Sequence, residues 1–311
     1  MDDPASVAVR FALYIDLMLL LGLPAFGLYA LRGAERASGA VLAFRRWIGA
    51  LALIGIALSA LALMLLAASM SGTSLAAVDR ASVDAVVTGT SIGTAWQVRT
   101  AALLAAVWLA LMGWRKPRQG LAFAVMVGSI ALASLAWTGH GAASEGLRGS
   151  VHLVGDILHL LAAGIWIGAL FALGLLLFRP AALMTAEHVA LSHRTLEGFA
   201  TIGTVVVGVI ILSGLTNSWI LIGPFNMPAL FTTLYGQLLI AKLVLFAGML
   251  GLAWANRFRL TPALSATLGG GDHRGAVKAL RRSLVLEAAA ALVILALVAW
   301  LGMLAPPGSE M

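Results

Sequence analysis

Eight stretches of this chain stay apolar for about twenty residues at a time, each long enough to cross roughly 30 Å of hydrocarbon as a helix. They fall near 8–31, 48–70, 96–114, 119–138, 151–178, 199–219, 234–256 and 284–304. An open strand in lipid would leave backbone groups unpaired, so helix is the conformation these runs require. With 61% hydrophobic and only 11% charged residues, the 311-residue chain has too little charge to cover a water-soluble surface of that size. The pattern predicts an all-α polytopic membrane protein with eight transmembrane helices, arranged as one integral membrane domain.

Charge placement gives the runs a direction. Segments 32–47, 115–118, 179–198 and 257–282 hold fifteen of the twenty Lys and Arg residues. The alternate segments hold Arg10, Arg80, Arg99 and Arg148, and Lys242 lies inside a span. The positive-inside rule then puts both termini on the outer, periplasmic face. This asymmetry also accounts for the net charge of +7 without a nucleic-acid partner. Two aspartates precede the first run, which does not resemble a cleaved signal peptide. On this orientation His140, His152 and His159 belong to the outer half, and His188, His193 and His273 to solvated cytoplasmic segments.

The two halves, 1–140 and 141–311, echo one another. Thr90-Ser-Ile-Gly93 leads to Arg99 as Leu234-Tyr-Gly236 leads to Lys242, and Ala136-Trp-Thr-Gly-His140 matches Ala299-Trp-Leu-Gly-Met303. Four spans per half would make this a parallel 4+4 repeat, with His140 and Met303 at equivalent outer positions.

The polar constellation sits at the head of the fifth run, in His152-Leu-Val-Gly-Asp-Ile-Leu-His159. Positions i, i+4 and i+7 share one helix face, so His152, Asp156 and His159 line up over about 10 Å. An ionisable group at that depth faces protein or a water-filled cavity rather than lipid. His140, at the end of the preceding span, can reach the mouth of this face. Met70, Met227 and Met303 lie at outer ends or in an outer loop. With no cysteine in the chain, His, Met and carboxylates are the available metal ligands. Imidazole suits Cu(II) and Cu(I), and thioether suits Cu(I), so the set describes a copper site open to the periplasm. The competing reading is structural: histidines bonding backbone, Asp156 orienting an imidazole, methionines filling gaps. Asp16 and Lys242 lie at a similar depth, and the lysine is expected to pair with Asp16 or Asp156, as a packing device or as part of an ion path. Glu287 reads as a charge partner of Arg281 and Arg282. Gly22-Leu-Pro24 and Gly164-Ile-Trp-Ile-Gly168 permit close helix approach or a kink.

Several of these stretches together resemble the copper resistance protein D family of bacterial inner-membrane proteins. They are Ala67-Ala-Ser-Met-Ser-Gly72, Thr138-Gly-His-Gly141, His159-Leu-Leu-Ala-Ala-Gly-Ile-Trp-Ile-Gly168, Leu234-Tyr-Gly-Gln-Leu-Leu-Ile-Ala-Lys242, Asn256-Arg-Phe-Arg-Leu-Thr-Pro262 and Leu280-Arg-Arg-Ser-Leu-Val-Leu-Glu287. The resemblance runs over nearly the whole chain. It implies an eight-span protein that moves copper toward the cytoplasm, receiving it from a small periplasmic copper-binding protein of the CopC type, here expected to be a separate chain. It assigns His140, His159 and Lys242 to family positions, whereas His152 and Asp156 rest on helical geometry.

The expected function is therefore copper transport across the inner membrane without catalytic chemistry. No nucleotide-binding loop or phosphorylation motif is present in the sequence. The alternatives are a haem-binding electron carrier, which needs two axial histidines at similar depth, and a copper-binding sensor or scaffold without flux. The cargo expected is copper and no haem. Protonation of His or Asp opposes cation binding, so transport should weaken at low outer pH.

Overall fold

A computed structural model describes residues 3–37, 39, 41–138, 146–180, 185–223, 227–267, 274–305 and 307. His140 and His273 lie outside the described residues. The helices are α1 Pro4–Ala30, α2 Phe44–Ser71, α3 Arg80–Gly89, α4 Ser91–Leu111, α5 Pro117–Ala133, α6 Gly146–Leu177, α7 Ala186–Ile222, α8 Ala229–Thr232, α9 Leu234–Ala255, α10 Thr261–Thr267 and α11 Arg274–Leu301. A tight turn, Ser134–Thr138, extends α5, and a π-helical turn, Asn256–Leu260, joins α9 to α10. Eight helices are long and apolar enough to cross a membrane, in register with the eight runs of the sequence. All regular structure among the described residues is helical.

The central element is α1. Asp3 caps it, accepting from the backbone N–H of Ala5 at 3.1 Å and of Ser6 at 3.3 Å, and Pro4 occupies the first turn. A short carboxylate there satisfies amides that have no intrahelical partner. From that start α1 runs through the molecule against α2, α5, α6 and α11, with Leu17, Leu20 and Phe26 fully buried. The approach to α6 is set by glycine. A Cβ on Gly22 would collide with the backbone at Gly164 and Gly168, and one on Gly168 would collide with the backbone of Gly22. The two glycine motifs noted in the sequence thus meet each other. Without a hydrophobic drive between helices in lipid, such backbone contact supplies the dispersion that holds spans together.

The basic residues have structural partners that charge counting does not reveal. Arg36 donates to the carbonyls of Gly27 (3.0 Å) and Leu28 (2.9 Å) at the end of α1. Arg45 donates to Ala110 (2.9 Å) and Leu111 (3.1 Å) at the end of α4, and Arg281 donates to Leu177 (2.7 Å) at the end of α6. Three helices that run toward the basic side, α1, α4 and α6, therefore present C-terminal carbonyls, with their partial negative charge, to a guanidinium.

Three local features differ from the sequence reading. The segment after α2 contains the amphipathic helix α3, too short and polar to register as a span. α7 begins at Ala186, thirteen residues before the predicted span, because Thr185 caps it and His188, Ser192 and Thr195 are buried against the bundle. Glu287 does not pair with Arg281 or Arg282: its carboxylate accepts from Asn256 and lies 3.5 Å from the Ser283 hydroxyl, while Arg281 is committed to carbonyls. The helix turns Glu287 inward and the arginines away.

The starts of α4 and α9 are built alike. Thr90 Oγ1 accepts from Gly93 N–H (2.9 Å) and donates to Val86 O (2.7 Å) of the preceding short helix. Thr233 Oγ1 accepts from Gly236 N–H (3.1 Å) and donates to Ala229 O (2.7 Å). In both, the glycine lies against the backbone of the short helix, where no side chain would fit.

Candidate metal-ion pocket

The second to fourth turns of α6 carry the polar face. Helical spacing aligns His152, Asp156 and His159 along a cavity of about 150 Å³, which α7 packs beside and α9 borders. Asn217 of α7, Lys242 and Tyr235 of α9, and Arg10 and Tyr14 of α1 complete the lining.

Asp156 occupies the middle. One carboxylate oxygen accepts from Asn217 Nδ2 at 2.6 Å, and the other lies 3.8 Å from His152 Nε2. Asn217 comes this close because residue 155 is glycine: a Cβ there would stand 2.6 Å from Asn217 Oδ1. His152 itself is buried, only 1% exposed. Lys242 and Asp156 line the same cavity but form no direct ion pair. A cation arriving here competes with an ammonium group for the same carboxylate, which favours a passing ion over a tightly held one.

His159 lies one turn deeper and packs on α7 at Gly214, where a Cβ would touch its ring at 3.4 Å. Its Nδ1 is 3.0 Å from Ser213 Oγ, which donates its proton to Val209 O at 2.5 Å. A hydroxyl has one proton to give, so Ser213 accepts from His159 Nδ1–H. That arrangement leaves the lone pair on Nε2, the tautomer of a metal-ready imidazole with its other nitrogen anchored.

The remaining candidates fall elsewhere. His140 lies outside the described residues, so its relation to this cavity is not part of the geometry. Met70, Met227 and Met303 are exposed by 63%, 55% and 39%, and none lines the cavity of His152 and His159. Met303 Sδ instead lies 3.6 Å from Arg10 Nη1. Asp16 is buried against α2 and α4, where a Cβ on Gly55 would sit 2.6 Å from its Oδ2 and 3.0 Å from Leu103. Asp16 and Lys242 thus do not pair: the direction in which α1 presents residue 16 carries it to the other side of the bundle. Lys242 shares its cavity with Asp156, the other partner the sequence allows. Of the histidines on the basic side, His188 lies 2.8 Å from Leu176 O, and His193 is 3.6 Å from Glu197.

Asn217, Ser213 and Arg10 escaped the sequence reading. A signal for the first two existed in Ser213-Gly-Leu-Thr-Asn-Ser218, a cluster of polar residues inside an apolar run. Among the described residues no three His, Asp or Glu side chains converge to enclose an ion. The site is a ladder of one- and two-ligand rungs, suited to weak sequential contact rather than permanent retention.

Eight apolar helices with ionisable side chains gathered in one internal cavity define a multi-pass α-helical membrane protein. Residues 1–150 match the family described as copper resistance protein D-like, N-terminal domain, and residues 193–301 match copper resistance protein D. The chain is 48% identical to copper resistance protein D of Pseudomonas syringae pv. tomato over 306 residues, 98% of each chain. It therefore belongs to the copper resistance protein D family. It is also 29% identical to copper transport protein CutJ of Bacillus subtilis, over 83% of this chain and 47% of that one. Inner membrane protein YebZ of Escherichia coli matches at 29% over 57% of this chain and 58% of its own. No solved structure matches the chain significantly.

Proposed function

We propose that this protein carries copper across the bacterial inner membrane, from the periplasm toward the cytoplasm, with both termini periplasmic and no catalytic step. A soluble periplasmic copper-binding protein of the CopC type would deliver the ion. The observation that supports this most is that His159, held 3.0 Å from Ser213 by its Nδ1, lines one cavity with the His152–Asp156 pair. The cavity lies at the helix ends opposite the basic segments, where the positive-inside rule puts the periplasm. The ion would meet His152 first, then Asp156, and His159 about 10 Å beyond His152 along α6. Lys242 would keep Asp156 from holding a cation permanently, so binding stays reversible.

The test is copper uptake into proteoliposomes, paired with equilibrium copper binding to the purified protein. His159→Ala and Asp156→Ala should each weaken binding by about tenfold or more and slow uptake in parallel. His188→Ala, whose ring is committed to Leu176 O, should do neither. Equal losses from all three would refute the sided pocket, and normal binding with no flux in the unaltered protein would make it a sensor instead.

A further inference from the structure

The first half of the chain holds a second cavity, of about 330 Å³, between α1, α2, α4 and the Ser134–Thr138 turn. Two guanidiniums line it, Arg10 and Arg99. Arg99 is only 3% exposed, and its hydrogen bonds run to two hydroxyls, Ser59 Oγ at 2.9 Å and Ser134 Oγ at 3.3 Å. Arg10 donates to the carbonyls of Gly302 (2.6 Å) and Thr138 (2.5 Å). Among the described residues neither arginine forms an ion pair with a carboxylate. Asp16, the acid on the same side of α1, faces Gly55 and Leu103 about one turn deeper and makes no ion pair with Arg99. Lys242, which follows Gly236 in the second half as Arg99 follows Gly93 in the first, has Asp156 across its cavity. Among the described residues Arg99 has no such counter-charge.

A guanidinium does not give up its proton, and burying one without an opposite charge is costly. Hydroxyls and carbonyls solvate the charge but do not neutralise it. Nη2 of Arg99 has no hydrogen-bond partner among the described residues, so donors remain for a ligand. We propose that this cavity is an anion site, in which Arg99 and Arg10 together bind a phosphate-type oxyanion. The planar fork of donors suits phosphate oxygens better than a spherical ion. The cavity is larger than a bare phosphate needs, and Leu13, Leu63 and Leu66 give it apolar walls that would accept the start of an acyl chain. A phospholipid headgroup and free phosphate share the chemistry that the arginines recognise. Arg10 and Tyr14 line both cavities, whereas Arg99 lines this one and not that of His159, and the proposal does not depend on the copper reading.

The experiment uses the full-length protein in a maltoside detergent, titrated with inorganic phosphate and separately with short-chain phosphatidylglycerol. Native mass spectrometry counts adducts and thermal unfolding reports stabilisation. Retention of phosphatidylglycerol alone would identify a headgroup site, and stabilisation by inorganic phosphate as well would identify a free-oxyanion site. Either supports the proposal. Arg99→Gln should weaken binding by about tenfold or more, with partial recovery in Arg99→Lys. Arg10→Gln gives a second reading should Arg99→Gln fail to fold. His159→Ala should bind the anion normally, whatever becomes of copper. No binding of either probe, or full binding in both arginine variants, would overturn the proposal.

Discussion

Removing the Asn217 carboxamide isolates the contact that holds Asp156 in the proposed metal-ion pocket. The Nδ2···Oδ1 distance is 2.6 Å, short and charge-assisted, and Asp156's other neighbour, His152, stands further off at 3.8 Å. In water-soluble proteins a hydrogen bond to a charged group contributes about 1.5–3 kcal/mol, whereas interhelical bonds in a membrane average about 0.6 with a maximum near 1.7 kcal/mol. The membrane value should govern the scale, and the short distance should place this bond near its upper end. We expect a coupling of about 1–2 kcal/mol between positions 156 and 217, roughly 5- to 30-fold in an equilibrium constant. The measurement is a double-mutant cycle of Asp156→Ala, Asn217→Ala and the pair, followed by reversible unfolding in detergent. Equilibrium copper binding on the same four proteins should show Asn217→Ala weaker by about tenfold, since it frees the carboxylate to rotate away. Effects on stability that add to within about 0.3 kcal/mol would show that the two side chains do not act together and would refute the reasoning.

Other perturbations probe the scaffold. Gly168→Val should destabilise by about 3 kcal/mol or more, because the added atoms meet the backbone of Gly22, while Gly174→Ala, with open space around it, should leave thermal stability within about 1 kcal/mol. On the proposed topology Leu75→Cys, in the segment between α2 and α3, should react with a membrane-impermeant maleimide in intact cells, and Lys116→Cys only after permeabilisation. The natural absence of cysteine makes each label unique, and the reverse pattern would invert the topology. The pair of Glu35 and Arg194, 2.6 Å apart, ties the segment after α1 to α7 outside the spans. Partial burial pushes the Glu35 carboxyl up, but the hydrogen bond and charge of Arg194 outweigh it and hold the carboxyl below its ordinary value of 4.5. A depressed carboxyl stabilises the fold above the unfolded value and loses that contribution as pH falls through the folded one. Glu35→Gln should therefore cost up to about 1 kcal/mol at pH 7, with the gap closing below about pH 4.5, as thermal unfolding at several pH values would show.

Hydrophobic run length, charge asymmetry and helical period are local properties, and each was legible in the linear chain. Eight runs became eight spanning helices because backbone groups in hydrocarbon have no other way to pair. The i, i+4, i+7 spacing put His152, Asp156 and His159 on one face whatever the neighbours turned out to be. The neighbours themselves are a different matter. That Gly22 meets Gly164 and Gly168, that Asn217 fits beside Gly155, and that Ser213 anchors His159 all depend on contacts between helices far apart in sequence, where a single Cβ decides how near two backbones come. The same packing turned Asp16 away from Lys242 and Glu287 away from its adjacent arginines, although sequence depth alone made both pairings plausible. In lipid, apolar surface carries no information about which helix packs on which, so small residues and buried hydrogen bonds make that choice, and only the tertiary structure displays it.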